Sequence, residues 1–155
     1  ADRLLSGGKF NTGSDAMMMD YLWTLYCQTP YLMIDSLQTG REQVLLGTEE
    51  LSLEDIRQKI SCQMGRILKE LIDRGADACF MIIGGDTLLA FMDSIGCHEL
   101  TPVCELQPGV VLSRIAYRGR EYEIISKSGG FGEEDLLVTL KGETEPLNQA
   151  QFAGA

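Results

Sequence analysis

Glycine pairs follow apolar segments at three places in this chain of 155 residues, and they constrain the fold more than any other feature. The pairs are Gly7-Gly8, Gly84-Gly85 and Gly129-Gly130. Glycine tolerates positive φ and lets bare backbone come close to a ligand. A helix that follows such a turn aims its free N–H groups and its positive dipole end at the same point. Each pair therefore predicts a strand–turn–helix unit whose turn can seat an anion such as phosphate.

The middle pair has the clearest surroundings, because an apolar run ends at Gly84-Gly85 and a helical pattern starts at once. The two glycines would let phosphate oxygens approach, and Thr87 offers a hydroxyl at the start of the helix. Asp86 is a candidate for binding magnesium or for accepting a proton. The alternative is purely structural: a tight turn, followed by a helix that Asp86 caps. For one such motif alone, the structural interpretation is the better one.

The last pair adds a positive charge, because Lys127 and Ser128 precede Gly129-Gly130. A lysine, a hydroxyl and two bare amides before a helix suit a polyphosphate. The chain contains neither G-x-x-x-x-G-K-[ST] nor G-x-G-x-x-G, so it carries no Walker A loop and no dinucleotide fingerprint. The first turn offers Ser6, for which a ribose or phosphate contact and an ordinary polar loop are equally good interpretations.

Helices and strands alternate over most of the chain, and a β-rich region follows Gly96. Apolar periodicity predicts helices over 16–28, 52–75 and 86–95, the second capped by Ser52 and ended by Gly75. Apolar runs at 31–35 and 76–83 predict strands, the latter buried on both faces. We therefore predict a three-layer α/β/α domain with a mixed, mostly parallel sheet and a β-hairpin late in the chain. The domain is expected over 1–141, with a loosely ordered tail at 142–155.

Charge and cysteine content exclude several classes of function. The net charge is −10, and no run of Lys and Arg exceeds two residues, which argues against nucleic-acid binding. No apolar run is long enough to cross a bilayer, so no membrane contact is expected. The five cysteines are odd in number and form no C-x-x-C pair, which predicts buried thiols in a reducing cytoplasm.

Three segments together carry a resemblance to a known family: "IIGGDTLLAFMDSIG", "ELQPGVVLSRI" and "IISKSGGFGEEDLL". In order and spacing they resemble the C-terminal nucleotide-binding domain of the four-carbon acid sugar kinases, which act on threonate, erythronate and 3-oxo-tetronate. The resemblance implies Mg²⁺-ATP as the cofactor and a sugar acid as the acceptor. It implies ATP contacts at Ser6, at Gly84, Gly85, Asp86 and Thr87, and at Lys127, Ser128, Gly129 and Gly130. Asp86 and Lys127 are the catalytic candidates, with Asp86 also the candidate metal ligand.

The resemblance also implies a second domain, because such kinases hold the sugar acid largely in an N-terminal domain that this chain lacks. We therefore expect the chain to bind ATP but to be inactive as a kinase by itself, and self-association into a homo-oligomer is a further expectation. Two alternatives stay open. One is a non-catalytic module that binds a nucleotide or a phosphorylated metabolite. The other is a structural domain whose glycine turns bind nothing.

Overall fold

A computed structural model describes residues 15–35, 52–129 and 136–140 of the chain. Ser6 with the first glycine turn, Gly130, and the predicted tail at 142–155 lie outside the described residues. Residues 136–140 are helical. The other elements are, in chain order, α1 (Asp15–Gln28), α2 (Leu53–Asp73), β1 (Phe80–Ile83), α3 (Gly85–Ile95), β2 (Thr101–Gln107), β3 (Val110–Tyr117) and β4 (Arg120–Lys127).

Helix α2 begins and ends where local sequence signals place its ends. The Asp55 N–H donates to Ser52 Oγ at 3.1 Å, and the Ser52 N–H donates to the Asp55 carboxylate at 3.1 Å. This reciprocal capping box satisfies two N–H groups at the start of the helix. The Ser52 hydroxyl also donates to the Asp55 carboxylate, and this bond, together with the one from the Ser52 N–H, lowers the pKa of Asp55. Gly75 ends the helix with φ of +97°, a conformation that favours glycine.

The four strands of the described sheet lie in the order β1-β4-β3-β2. β1 runs parallel to β4, whereas β4 with β3 and β3 with β2 are antiparallel. The α/β class, the mixed sheet and the late hairpin are confirmed. The prediction of a mostly parallel sheet is wrong for the described strands. Tight turns join β2, β3 and β4, and such turns connect only antiparallel neighbours. At the β3–β4 turn, Arg118 and Gly119 have φ of 49° and 78°, the positive values that a two-residue hairpin of this twist requires.

Each face of the sheet packs against helical residues, so the predicted layering is found in the described part of the chain. Helices α1, α2 and α3 cover one face. The core between these helices and the sheet is built from both layers. It includes the helix residues Leu22, Leu71 and Phe91 and the strand residues Ile82, Ile115 and Ile124. The helical segment 136–140 covers the opposite face, where the buried residues are Val110, Leu112, Ile125, Leu136 and Leu140. No helix in the described ranges is both long and apolar enough to span a membrane.

Two predicted strands differ from the structure. Residues 31–35 adopt no regular secondary structure, and the strand predicted over 76–83 is confined to Phe80–Ile83. The backbone just before β1 forms hydrogen bonds to the helices instead of to a neighbouring strand. The Ala76 N–H donates to Leu71 O at 2.9 Å to close α2, and the Asp77 N–H donates to the Tyr26 hydroxyl of α1 at 2.9 Å. These bonds hold 76–79 as a connection between the helices and the sheet.

The cysteines are less buried than predicted. Cys27, Cys62 and Cys104 are exposed, and Cys79 and Cys97 are half-buried. The prediction of buried thiols is therefore wrong for three of the five. Cys104 lies on β2, which has no strand neighbour beyond it in the described sheet. Burial and, to a smaller extent, the nearby Glu123 raise the pKa of the Cys79 thiol to about 11.

Helices α2 and α3 approach each other unusually closely at Gly65. A Cβ placed at Gly65 would lie 2.7 Å from the Ala90 carbonyl carbon and 2.8 Å from the Phe91 nitrogen. Ser94 Oγ donates to Gly65 O at 3.2 Å, which joins the two helices at the same level. This contact holds α3, and with it the turn from which α3 starts, against α2.

Asp73, at the end of α2, joins the helical layer to the β3–β4 hairpin. Its carboxylate accepts a hydrogen bond from the Tyr117 hydroxyl at 3.0 Å and forms ion pairs with Arg118 Nη1, at 3.0 Å, and with Lys69. Burial acts to raise the pKa of Asp73, but the hydrogen bonds from Lys69 and Tyr117 outweigh it and hold the pKa below its ordinary value. The carboxylate is therefore bound in its charged form.

Candidate functional site

The two described glycine turns lie side by side at one edge of the sheet. β1 and β4 are parallel, and Ile83 opposite Lys127 is their last residue pair. The Gly84 N–H donates to Lys127 O at 2.9 Å, which fixes the spacing of the two turns as they leave the strands. The carboxyl ends of the strands are where α/β sheets bind ligands. The structure thus brings together the predicted groups 84–87 and 127–129, which stand far apart in sequence.

Gly84 forms the entry to α3, and its conformation explains why glycine stands there. It has φ of 100° and ψ of 129°, and its carbonyl accepts the first helical hydrogen bond, from Leu88 N–H at 3.1 Å. No side chain caps this helix. Asp86 and Thr87 lie in the first turn of α3, so neither acts as the cap that the structural interpretation assigned to Asp86.

The N–H groups of Gly85, Asp86 and Thr87 have no acceptor within the described part of the chain. Free N–H groups at the positive end of a helix dipole are suited to binding phosphate or carboxylate. A Cβ placed at Gly85 or Gly129 would meet no atom within 4 Å, and one at Gly84 would meet only Thr87 Oγ1 at 3.8 Å. Both turns therefore present backbone that a ligand can reach.

One cation and one carboxylate stand at these turns. Lys127 is half-buried, and its Nζ donates to Ser128 O at 3.0 Å, so the ammonium lies over its own turn. Asp86 is exposed. Neither residue belongs to an ion pair within the described residues. Positive charge for a phosphate and a carboxylate for a metal are thus both available.

The carboxylate chemistry restricts which metal these turns can hold. No group of three or more His, Cys, Asp and Glu side chains gathers in the described ranges. Mg²⁺ needs only one or two protein carboxylates when phosphate oxygens and water complete its shell. Among the described residues, the carboxylate of Asp86 therefore matches a Mg²⁺ ion whose other ligands are phosphate oxygens and water.

Arg114 and Ile83 differ in their position relative to the two turns. Arg114 is exposed on β3 and lies opposite Glu123, 3.8 Å from its carboxylate and well before the end of β4, so it is not part of the two turns. Ile83 was missed by sequence reasoning, because its strand was predicted to be buried on both faces. It is 48% exposed and lies opposite Lys127 at the mouth of the two turns. Its position directly before Gly84 was the signal that could have identified it.

The chain matches a known protein family over most of its length. Residues 28–137 match the model of the nucleotide-binding C-terminal domain. This range includes both described glycine turns and all four strands of the sheet. It also contains the three segments that carried the sequence resemblance. No curated protein matches the chain.

The chain is similar in structure to a protein of the DUF1537 family from Bordetella bronchiseptica, solved in two crystal forms as a domain-swapped dimer with bound citrate. One form aligns with a TM-score of 0.57 and 23% identity, over 77% of this chain and 28% of the other. The second aligns with a TM-score of 0.60 and 18% identity, over 88% of this chain and 31% of the other. At this identity the likeness shows the fold alone. The present chain spans less than a third of the length of that protein.

Proposed function

Because this chain belongs to the family of nucleotide-binding C-terminal domains, we propose that it is the ATP-binding domain of a kinase that phosphorylates a four-carbon sugar acid. The single observation that carries the proposal is the adjacency of the two glycine turns. The bond from Gly84 N–H to Lys127 O, at 2.9 Å, holds the open end of α3 beside the lysine turn. A polyphosphate chain is a ligand long enough to contact both turns at once.

The residues divide the work of binding by their chemistry. The N–H groups of Gly85, Asp86 and Thr87 would receive the oxygens of one phosphate, assisted by the helix dipole. Lys127, Ser128 and Gly129 would bind the neighbouring phosphate, with the ammonium offsetting its negative charge. Gly130 would extend this second turn, and Ser6 would add a contact from the first turn of the chain.

Phosphoryl transfer depends on positioning and on stabilisation of charge more than on covalent chemistry by the protein. Lys127 would stabilise charge on the transferring group. Asp86 would hold Mg²⁺ or accept the proton of the attacking hydroxyl. When bound, Mg²⁺ neutralises charge on the phosphate oxygens. The exposure of Asp86 leaves its carboxylate accessible for either role.

A sugar acid as the acceptor is supported by the sequence resemblance and by the chemistry of the related structure. The Bordetella protein was solved with citrate, which like a sugar acid combines carboxylate and hydroxyl groups. In that family the acid would be held largely by another domain, and we infer that this chain alone binds ATP without transferring phosphate. The domain-swapped dimers of the related protein favour self-association here as well.

Calorimetric titration of the chain with Mg²⁺-ATP tests the first step. We expect saturable binding that is lost in an Asp86→Ala/Lys127→Ala double variant, because phosphate then loses its cation and Mg²⁺ its ligand. Lys59→Ala is the matched control, since it removes an exposed lysine of α2 that lies outside both turns. Circular dichroism establishes that each variant is folded.

Absence of ATP binding by the folded parent chain would contradict the proposal and favour purely structural turns. If ATP binds, phosphoryl transfer to threonate and erythronate distinguishes the remaining alternatives. Transfer in the presence of the sugar-acid-binding domain supports the kinase. Binding without transfer under those conditions favours the alternative, a non-catalytic nucleotide- or phosphometabolite-binding module.

A further inference from the structure

A cleft of about 350 Å³ lies between α1 and α2, and none of the residues of the glycine turns lines it. Its volume is within the range of roughly 300–1,000 Å³ that small-molecule sites occupy. We propose that this cleft binds a small organic monoanion with an apolar body, such as an aromatic or aliphatic carboxylate. The cleft would then serve a second ligand, and its occupation does not depend on the function proposed for the turns.

Part of the lining of the cleft is apolar. Met18, Met19 and Ile67 contribute to it, and their exposed fractions are only 7%, 7% and 6%. Two methionines make this surface adaptable, because the unbranched thioether side chain fills irregular spaces and is polarisable. Met17, the neighbour in sequence, is 76% exposed and does not line the cleft. The apolar body of a ligand therefore has one defined surface on which to lie.

The lining also carries more positive than negative charge, although the chain as a whole carries a net charge of −10. Arg66, Lys69 and Arg74 belong to the lining, with Glu70 as its one carboxylate. Two of the three cations are already paired: Lys69 with Asp73, and Arg74 with both Glu70 and the Asp20 carboxylate of α1.

Arg66 remains available, because it is exposed and has no hydrogen bond or ion pair among the described residues. Its planar guanidinium matches a carboxylate through two parallel N–H···O bonds. One free cation beside an apolar surface predicts one negative charge on the ligand, which is why the proposal specifies a monoanion.

Methyl NMR of the whole chain, labelled with ¹³C at the methionine methyl groups, tests the proposal with 1-naphthoate as the probe. We expect saturable shifts at Met18 and Met19 and none at Met17. The neutral analogue 1-naphthylmethanol should bind at least about tenfold more weakly, because it cannot form the charge-assisted pair with an arginine. This ligand-side comparison requires no substitution and so cannot be confused with a folding defect.

Arg66→Gln should weaken naphthoate binding by a similar factor. Arg57→Gln, which removes an exposed arginine of the same helix outside the cleft, should leave binding unchanged. The proposal is overturned if the methyl signals of Met18 and Met19 do not shift, or if that of Met17 shifts equally. It is also overturned if the parent binds 1-naphthylmethanol as tightly as 1-naphthoate, or if the Arg66→Gln variant binds 1-naphthoate as tightly as the parent does.

Discussion

The Cys79 thiol should react more slowly than the exposed thiols of the chain. Burial, with a smaller contribution from Glu123, raises its pKa to about 11, so the nucleophilic thiolate forms only as the pH rises toward that value. We expect iodoacetamide at mildly alkaline pH to alkylate Cys27, Cys62 and Cys104 first and Cys79 last, as measured by mass spectrometry of digested protein. In urea the rates should converge. Alkylation of Cys79 at the rate of Cys62 in the folded protein would contradict this assignment.

At the scale of single residues, the sequence reveals backbone requirements better than side-chain roles. Gly84 was identifiable because positive φ after a strand excludes most other residues. Whether Asp86 caps the helix was not decidable, because the cap is set by where β1 stops pairing with β4. The exposure of Ile83 and the partners of Lys127 depend on the same pairing. These properties come from residues that are distant in sequence.

At the scale of elements, Gly65 decides how closely α2 can approach α3. Gly65→Ala would place a Cβ less than 3 Å from the backbone at Ala90 and Phe91, and backbone atoms cannot move aside as a flexible side chain would. We expect a loss of about 1–3 kcal/mol in the free energy of unfolding, measured by urea denaturation, despite the better helix propensity of alanine. A stabilised variant would show that the helices lie further apart than described.

Gly85→Ala tests the entry to α3 separately from its stability. Gly85 is helical, and a Cβ there meets nothing within 4 Å, so alanine should preserve or raise stability by up to about 1 kcal/mol. The same methyl group would occupy the space where the proposed phosphate approaches the backbone. We therefore expect weaker Mg²⁺-ATP binding in a variant that unfolds at the same or a higher urea concentration. Unchanged affinity would exclude close contact between phosphate and this residue.

Elements with strong local signals were predictable, and those that depend on distant partners were not. Helix α2 was expected from Ser52 to Gly75 and is found at Leu53–Asp73, because its cap, apolar face and terminal glycine all lie within it. The strand predicted over 76–83 is shorter because the Tyr26 hydroxyl of α1 engages Asp77. An apolar run alone cannot reveal such a competing contact.

At the scale of the whole molecule, Asp73 should make stability depend on acid. Its pKa is lower in the folded protein than in the unfolded chain, so its contribution is present above its ordinary pKa of 3.8 and is lost as the pH falls below that value. Asp73→Asn should reduce stability by about 1.5–3 kcal/mol near neutral pH, because three charged or polar donors lose their carboxylate. Urea denaturation of this variant, from neutral pH to below 3.8, should show a free energy of unfolding that depends less on pH than that of the parent. An unchanged acid profile would assign that dependence to other carboxylates.

The order of the strands was the largest feature that the sequence could not predict. Alternating strands and helices indicated a mostly parallel sheet, yet β4 enters between β1 and β3 and makes the sole parallel pair of the described strands. The apolar pattern of β4 is equally compatible with an edge or a central position. Because the neighbouring turns result from this order, their residue types were predictable but their adjacency was not.

The parallel pairing of β1 with β4 also determines when the two turns can meet during folding. The β3–β4 hairpin closes a short loop and can form quickly, whereas β1 must wait for a strand that follows α3, β2 and β3 in the chain. On the ribosome, the turn after β1 emerges well before its partner is synthesised. Assembly of the paired turns is therefore a late event, and a nascent chain released before β4 lacks them however completely its helices have formed.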